Sequence, residues 1–202
     1  MEKNVLAILL KNPQLGKVKT RIAQTLGDEK ALEIYHYLLN YTLDLAEEVN
    51  AEINLFCSDF LEDFGNDHWK ITTQTGENLG EKLRNAFARC FAQMASKVIV
   101  IGSDCPFIQN KHIQQTYQAL NNYDVVIGPA SDGGYYLIAI KALHGEIFND
   151  IDWSTDKVLA QTIAKIQSLN LSYFLLETLS DVDTENDWNN YLNIVTHKNI
   201  SL

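Results

Sequence analysis

The chain has 202 residues, enough to bury a hydrophobic core but few for two domains, so we predict a single domain over residues 1–202. With 46% hydrophobic and 21% charged residues, the composition excludes a disordered or fibrous protein. The formal net charge of −10 disfavours nucleic acid and anionic membranes as partners, so a site for a negatively charged ligand must be a local cluster of basic residues.

The beginning of the chain and its cysteines indicate a cytoplasmic protein. The apolar run at residues 5–10 is too short to span a bilayer and lacks the basic region and cleavage site of a signal peptide. Cys57, Cys90 and Cys105 are odd in number and widely spaced, which fits neither a disulfide framework nor a paired zinc site. We therefore expect reduced thiols. None of the five histidines has a metal-ligand spacing, so we do not expect a zinc enzyme.

Strand and helix patterns alternate along the chain. In order, the predicted elements are a strand at 5–10, a helix at 29–49, a strand at 53–57, a helix at 79–94, a strand at 98–101, a helix at 112–120, strands at 124–127 and 135–140, a helix at 158–169 and a strand at 173–176. Asp28 and Asn78, the latter with Glu81 three residues later, mark two helix starts. Several strands are apolar at consecutive positions, which predicts an α/β fold with a mainly parallel sheet covered by helices on both faces.

The three prolines point to one edge of this sheet. Pro13, Pro106 and Pro129 all come just after predicted strands, so they mark loops at the carboxyl ends of those strands. Ligands of open parallel sheets bind at that edge. We therefore look for functional residues in these loops.

The first of these loops, residues 11–21, concentrates basic residues in an otherwise acidic chain. It contains four cations, a proline, a glycine and a threonine: Lys11, Pro13, Gly16, Lys17, Lys19, Thr20 and Arg21. Cations donate charge-assisted hydrogen bonds to phosphate oxygens, and a glycine lets backbone N–H groups approach them. The loop is not a Walker A motif. Its position favours a polyphosphate site over the alternative of a solvated lysine-rich loop.

Asp104 directly follows the buried strand at 98–101. A carboxylate at this point projects into the expected cleft, and Mg²⁺ typically takes one or two carboxylates together with phosphate and water. The alternative is a turn aspartate satisfied by its own backbone, which is common before proline.

The loop at residues 128–136 contains Asp132, Gly133 and Gly134. Asp-Gly-Gly makes a good hairpin turn, which is one interpretation. In the other, the glycines let a substrate lie against the backbone while Asp132 accepts hydrogen bonds from its hydroxyls. Either interpretation makes both glycines intolerant of larger side chains.

A second group of carboxylates follows the last predicted strand and leads into a helix. Asp181 or Asp183 could complete a metal site with Asp104, or could serve as the helix N-cap. We assign Asp181 to the cap and Asp183 to the metal.

Together these segments resemble a known family. The motifs are Lys11-x-Pro13-x-x-Gly16-x-x-Lys19-Thr20-Arg21, Gly76-x-x-Leu79-Gly80-x-x-Leu83, Gly102-Ser103-Asp104-Cys105-Pro106, Ser131-Asp132-Gly133-Gly134-Tyr135-Tyr136, Trp153-Ser154-Thr155-Asp156 and Asp181-Val182-Asp183-Thr184. They resemble a bacterial family with the glycosyltransferase-A (GT-A) fold, whose members are called nucleotide-diphospho-sugar transferases and in some cases arsenosugar-biosynthesis glycosyltransferases. The family is also similar to phospholactate and molybdenum-cofactor guanylyltransferases.

The resemblance implies a three-layer α/β/α, Rossmann-like GT-A fold and a set of ligand contacts. The first loop would surround the nucleotide phosphates, and Asp104 would stand at the metal-binding aspartate, for Mg²⁺ or Mn²⁺. The Asp-x-Asp of glycosyltransferases is reduced here to Ser103-Asp104-Cys105. A single aspartate paired with Asp183 is more similar to nucleotidyltransferases.

Two further segments are placed by the resemblance. Gly80 would lie beside the base and ribose, although helix capping by Asn78 and Glu81 explains that segment as well. Trp153 and Ser154 would line the acceptor side, although Ser154 or Thr155 could instead cap the following helix.

We therefore expect a transferase that acts on a nucleotide-activated substrate and a small-molecule acceptor. In glycosyl transfer from a nucleotide sugar, the first expectation, Lys11, Lys19 and Arg21 neutralise the leaving nucleotide and Asp132 is the general base. In nucleotidyl transfer, a nucleoside triphosphate is attacked by a phosphorylated acceptor and pyrophosphate leaves. A non-catalytic nucleotide-binding protein is the third possibility. The apolar and aromatic content leaves room for a homodimer.

Overall fold

The structure, a computed structural model, describes residues 2–200. The elements are, in chain order, β1 (Asn4–Leu10), α1 (Thr20–Leu26), α2 (Asp28–Glu48), β2 (Glu52–Cys57), β3 (Lys70–Thr73), α3 (Leu79–Ala92), β4 (Lys97–Ile101), α4 (Asn110–Ala119), β5 (Val125–Pro129), β6 (Tyr135–Ile140), a short 3₁₀ helix (Gly145–Phe148), α5 (Val158–Ser168), β7 (Tyr173–Leu175) and α6 (Glu185–Ile200).

The strands form a seven-stranded sheet in the order β3-β2-β1-β4-β6-β5-β7. The neighbours β1/β2, β1/β4, β2/β3 and β5/β7 are parallel, whereas β6 is antiparallel to both β4 and β5. The predicted mainly parallel sheet is therefore confirmed, with one antiparallel strand inserted near its centre.

Side-chain alternation along β1 separates two hydrophobic layers. Leu6 and Ile8 pack on one side with residues of α2 and α4, including Tyr35 and Ile113. Val5 and Ala7 pack on the opposite side with residues of α3 and α5, including Leu83, Phe87 and Ile166. Because both faces of the sheet are covered by helices, the predicted three-layer α/β/α arrangement is confirmed.

A third, smaller hydrophobic cluster joins α1 and α2 to the C-terminal helix. It contains Ile22, Ile34 and Leu38 together with Val182 and Tyr191. This cluster fixes the segment that precedes α6 next to the start of α1. Within residues 2–200, no helix combines the length and apolarity needed to cross a membrane.

Element boundaries follow the predictions closely, with a few differences. The Asn78 side chain accepts a hydrogen bond from the Glu81 backbone N–H at 3.0 Å, so the predicted start of α3 is confirmed. Asp28 is the first residue of α2, and Gly27 is its N-cap. Pro129 ends β5 instead of following it. The strand at Lys70–Thr73 and the helix at Thr20–Leu26 were not predicted from the sequence.

Candidate active site

A cleft of about 790 Å³ opens where the carboxyl ends of the parallel strands meet. It is lined by the ends of the first loop, the start of α3, the residues after β4, the β5–β6 hairpin and the segments that precede α5 and α6. The loops in which we expected functional residues therefore border this cleft. The antiparallel β6 contributes its first residues to the cleft because it begins at the edge where β5 ends.

At the centre of this cleft, the Lys19 side chain lies between two carboxylates. Its Nζ donates to Oδ2 of Asp104 and to Oδ1 of Asp183, both at 3.1 Å. Only 4% of the Lys19 side chain is exposed. Burial by itself lowers the pKa of the Lys19 ammonium, but the charges and hydrogen bonds of Asp104 and Asp183 outweigh it and raise that pKa above its usual range. Lys19 is therefore a fixed positive charge.

The backbone at Lys19 is unusual for a lysine. Its φ of 46° and ψ of 45° place it in the left-handed region, directly before the first residue of α1. Non-glycine residues rarely adopt this conformation without a compensating interaction. Here the two ion pairs supply one, and the turn directs the side chain into the cleft. Arg21, two residues further along the chain, lies 3.5 Å from Asp183 but is 68% exposed.

Asp104 is held by its own loop and by the C-terminal segment. A Cβ atom at Gly102 would lie 2.8 Å from Oδ1 of Asp104, so a glycine is needed for the carboxylate to occupy this position. The Asp104 carbonyl accepts a hydrogen bond from the Val182 backbone N–H at 3.0 Å. This bond brings the residues on either side of Val182 next to Asp104.

Thr184 and Asp187, not Asp181, cap α6. One Asp187 carboxylate oxygen accepts from the Thr184 backbone N–H at 2.8 Å and from its hydroxyl at 2.7 Å. The prediction that Asp181 is the cap is therefore wrong, because Asp187 satisfies the orphan donors at the helix start. Asp181 lines the cleft instead. Burial, followed by the negative charges of Asp104 and Asp132, raises the pKa of Asp181 to about 7.

Only the two ends of the first loop, residues 11–21, line the cleft. Lys11, Lys19, Thr20 and Arg21 line the cleft. Gly16 lies outside it in a turn with a φ of +72°, near the Asp28 carboxylate. The proposed phosphate contacts thus come from the two ends of the loop.

Tyr35, which belongs to none of the sequence motifs, fixes the start of this loop. Its hydroxyl accepts from the Lys11 backbone N–H at 2.9 Å and donates to the Lys11 carbonyl at 2.7 Å. The same oxygen lies 3.2 Å from the Ser103 hydroxyl. Burial raises the pKa of Tyr35 to about 12, so the phenol remains a neutral hydrogen-bonding group.

The Asp132 loop is a hairpin turn, as one of the two interpretations predicted. The Ala130 backbone N–H donates to the Gly134 carbonyl at 3.0 Å, and the Gly134 N–H donates to Oδ1 of Asp132 at 2.8 Å. Asp132 and Gly134 also line the cleft. Gly133 lies behind them with a φ of +91°, and a Cβ atom there would collide with the Asp156 backbone.

Trp153 links this hairpin to α3. Its ring lies 6.4 Å from that of Tyr135 at an interplanar angle of 84°. A Cβ atom at Gly80 would lie 2.6 Å from the Trp153 Nε1 atom, and Gly80 is not among the residues that line the main cleft. Gly80 therefore makes room for the indole ring, which does line the cleft.

Ser154 lies in the cleft wall and does not cap α5. Its φ of +65° is in the left-handed region, and the N-cap position of α5 is Lys157. The Thr155 hydroxyl donates to the Asp152 carbonyl at 2.7 Å and so stabilises the turn. The interpretation of these residues as helix caps is wrong, and the acceptor-side interpretation stays a prediction.

Two further cleft residues lie on and before α3. Gln74 donates from Nε2 to the Leu10 and Phe56 carbonyls, both at 2.8 Å, and so joins the ends of β1 and β2. Lys82 lines the cleft from α3 and forms no ion pair within the part of the chain that the structure describes. Lys82 was not predicted as a site residue, although its position within the Gly76–Leu83 motif, three residues after Leu79, is a sequence signal for it.

Asp104 and Asp183 fit a hard divalent cation. Their oxygens converge on one positive charge, the Lys19 ammonium. Residues 2–200 hold no group of three or more His, Cys, Asp or Glu side chains arranged for a metal. Two carboxylates nevertheless suit Mg²⁺ or Mn²⁺, because such ions complete their coordination with substrate phosphates and water.

The sequence matches a bacterial protein family over residues 42–155, more than half of the chain. That family is described as "Uncharacterized protein conserved in bacteria (DUF2064)". The chain belongs to this family. The match includes Asp104, the hairpin glycines and Trp153, so the resemblance predicted from the motifs is confirmed.

The sequence of this chain is also similar to those of archaeal guanylyltransferases. The 2-phospho-L-lactate guanylyltransferase of Methanocaldococcus jannaschii is 28% identical over 129 residues, which are 63% of this chain and 56% of that enzyme. The matched region thus spans little more than half the length of this relative.

Solved structures extend the similarity to the whole fold. A protein from Desulfovibrio desulfuricans G20, provisionally named a nucleotide-diphospho-sugar transferase, has a TM-score of 0.85 and 28% identity, over 91% of this chain and 84% of that one. CMP:2-keto-3-deoxy-manno-octonic acid synthetase in complex with CTP has a TM-score of 0.62 and 12% identity, over 98% and 100% of the two chains. The fold is therefore that of nucleotide-utilising transferases.

Proposed function

We propose that the protein is a metal-dependent nucleotidyltransferase, which transfers a nucleoside monophosphate from a nucleoside triphosphate to a phosphorylated acceptor. The observation that carries this proposal is the buried Lys19 ammonium shared by Asp104 and Asp183 at the carboxyl edge of the sheet. It places a cation and two candidate metal ligands at one point. The similarity to a guanylyltransferase and to a CTP-binding synthetase fold supports the same reaction class.

The distribution of cations suits a triphosphate. Lys19 is held in place, while Lys11, Arg21 and Lys82 line the cleft around it. Each can donate charge-assisted hydrogen bonds to phosphate oxygens. Positive groups fixed in this way stabilise the charge that develops on departing pyrophosphate more than they stabilise the bound triphosphate.

Asp104 and Asp183 are the residues that would hold Mg²⁺ or Mn²⁺. When bound, such an ion neutralises phosphate charge and polarises the phosphoryl group. Lys19 keeps the two carboxylates together, and the Asp104–Val182 backbone bond keeps their loops in register. The metal site would therefore be largely preformed.

The reaction needs no general base in this proposal. An oxygen of the acceptor phosphate forms a bond to the α-phosphorus, the bond from the α-phosphorus to the bridging oxygen breaks, and pyrophosphate leaves with that electron pair. An ionised phosphate has no proton to lose. Asp132, the predicted general base, is then available to bind the acceptor.

Glycosyl transfer from a nucleotide sugar is the second candidate. It is favoured by the D. desulfuricans structure, which is 28% identical and aligns over 91% of this chain. In that reaction an acceptor hydroxyl attacks the sugar carbon, the nucleoside diphosphate leaves, and Asp132 takes the hydroxyl proton.

Ligand binding and product analysis separate the two candidates. Purified protein is tested by thermal shift with the four nucleoside triphosphates and with nucleotide sugars, each with and without Mg²⁺ or Mn²⁺. We expect a metal-dependent rise in the melting temperature with one triphosphate, and pyrophosphate release when organic phosphates are added. Stabilisation by a nucleotide sugar with release of nucleoside diphosphate would instead establish glycosyl transfer. No metal-dependent shift with any ligand would overturn both.

A further inference from the structure

The cations that line the cleft come from two parts of the chain. Lys11, Lys19 and Arg21 come from the first loop and α1, and Lys82 comes from α3. Another part of the cleft wall is formed by residues 132–136 and 153–156, which we call the hairpin side. It contributes two carboxylates and, among the described residues, no lysine or arginine to the cleft.

The hairpin side is rigidly assembled. The Leu159 backbone N–H donates to the Gly133 carbonyl at 2.9 Å, and Gly133 packs so closely on Asp156 that no side chain fits there. The Tyr135 and Trp153 rings meet edge to face. The two segments therefore present one fixed surface to a ligand.

Several polar groups of the hairpin side have no partner within residues 2–200. Asp132 uses Oδ1 to accept from Gly134, which leaves its second oxygen available. The Asp156 carboxylate and the Ser154 hydroxyl make no hydrogen bond or ion pair in the described chain, and both line the cleft. Ser154 is moreover held at a left-handed φ of +65°. Strained backbone of this kind is often kept where it positions a functional group.

These groups suit hydroxyls and not a negative charge. Ionised carboxylates only accept hydrogen bonds, so they need a donor such as a hydroxyl. The partly buried Trp153 ring offers an apolar face to the C–H groups between such hydroxyls. A ligand carboxylate bound to the hairpin side would be repelled by Asp132 and Asp156, and neither segment of the hairpin side contributes a described cation to the cleft.

Resting on the proposed nucleotidyl transfer, we propose that the acceptor is a phosphate ester of a polyhydroxylated compound, a sugar phosphate or a polyol phosphate. Its phosphate lies toward Lys19 and Arg21, and its hydroxyls contact Asp132, Asp156 and Ser154. A phosphorylated carboxylic acid is disfavoured. The substrate named in the M. jannaschii guanylyltransferase, 2-phospho-L-lactate, carries such a carboxylate, so the acceptor of this chain differs from it in class.

Pyrophosphate release with matched acceptors tests this inference. The nucleoside triphosphate that binds is combined with Mg²⁺ and with glucose 1-phosphate, mannose 1-phosphate, erythritol 4-phosphate, 2-phospho-L-lactate or 3-phosphoglycerate. We expect kcat/KM for the best polyhydroxylated phosphate to exceed that for either phosphocarboxylate by at least roughly tenfold, as the loss of a charge-assisted hydrogen bond implies. Comparison of the two sugar phosphates with erythritol 4-phosphate shows whether the preferred acceptor is a sugar phosphate or a polyol phosphate.

Variants of the hairpin side give an independent test. Asp156→Asn should lower kcat/KM for the polyhydroxylated acceptor by roughly tenfold while the thermal shift by the triphosphate stays unchanged. Asp156→Lys should shift the preference toward phosphocarboxylates by at least roughly tenfold. Asp67→Asn, an exposed aspartate outside the cleft, is the control and should change neither.

The outcomes distinguish this inference from the proposed function. Pyrophosphate release that is equal or faster with the phosphocarboxylates, together with an unchanged preference in Asp156→Lys, would overturn the acceptor class and leave nucleotidyl transfer standing. Absence of pyrophosphate release with every acceptor, despite triphosphate binding, would overturn nucleotidyl transfer and the acceptor class with it.

Discussion

The Lys19 Nζ atom lies 3.1 Å from Oδ2 of Asp104, although 85 residues separate the two in the chain. Lys19→Met keeps the length of the side chain but removes its charge. We expect the Kd of the metal–triphosphate complex to rise roughly 10- to 100-fold, because a charge-assisted hydrogen bond to phosphate is lost. Isothermal titration calorimetry measures this change. Lys17→Met, outside the cleft on the same loop, is the control. If the two variants bind the metal–triphosphate complex with equal affinity, Lys19 has only a structural role through its ion pairs with Asp104 and Asp183.

Asp104 and Asp183 are expected to act as a unit in metal binding. Asp104→Asn or Asp183→Asn should abolish the metal-dependent part of the thermal shift, since a neutral amide is a much weaker ligand for a hard cation. Direct titration with Mn²⁺, followed by electron paramagnetic resonance, checks the affinity without a nucleotide. Asp67→Asn should behave as the unmodified protein. If either cleft variant binds Mn²⁺ normally, its carboxylate is not a ligand.

Gly80 should be sensitive to a single added methyl group. Alanine normally favours a helix over glycine, but a Cβ atom at Gly80 would lie 2.6 Å from the Trp153 Nε1 atom and 2.9 Å from the Phe148 carbonyl oxygen. We therefore expect Gly80→Ala to lower the free energy of unfolding by about 1–3 kcal/mol, measured by urea denaturation. Gly145→Ala meets only the flexible Arg84 side chain, at 3.1 Å, and serves as the control. A stable Gly80→Ala protein would show that Trp153 can move.

Asp124 should make stability depend on pH in the acid range. The Ser172 hydroxyl and backbone N–H donate to its carboxylate at 2.6 and 2.9 Å and, with Lys141, hold the pKa of Asp124 at about 2, below its ordinary value of 3.8. Since the folded-state pKa is depressed, the stabilisation is fully present above pH 4 and is lost as the pH falls toward 2.

The corresponding variant is Asp124→Asn. We expect it to lower the free energy of unfolding by roughly 1–2 kcal/mol at pH 7, and by progressively less between pH 4 and pH 2. Urea denaturation at each pH gives the difference between the two proteins. A difference that stays constant down to pH 2 would mean that hydrogen bonding, and not ionisation, is responsible.

Burial on both faces made most of the sheet predictable. Central strands such as β1 and β4 are apolar at nearly every position, so their sequences alone define them. The edge strand β3 reads Lys-Ile-Thr-Thr, pairs with β2 on one side and has no fully buried residue, so its sequence carries little signal. Helix α1 is short and begins with Thr20 and Arg21, which have the composition of a basic loop.

Site residues could be predicted where the position of a residue after a strand determines the direction of its side chain. Asp104 follows a buried strand and therefore points into the cleft, as the sequence indicated. Asp181 and Asp183 both have the composition of a helix start, and only the contact of Thr184 with Asp187 decides which residues cap α6. Tyr35 lies in the middle of α2, and its bonds to Lys11 depend on packing between distant segments.

Because β6 runs antiparallel to β4 and β5, the turn that precedes it lies at the same edge of the sheet as the loops that follow the parallel strands. The residues that line the cleft therefore come from two structurally separate groups of segments. The cation-bearing residues come from segments joined to the parallel strands, whereas the turn between β5 and β6 is fixed by the contact of Gly133 with Asp156 and takes no part in the pairing of β1 with β4. Under the proposed function, a substitution in this turn would alter the contacts with the acceptor and leave Lys19, Asp104 and Asp183 in place.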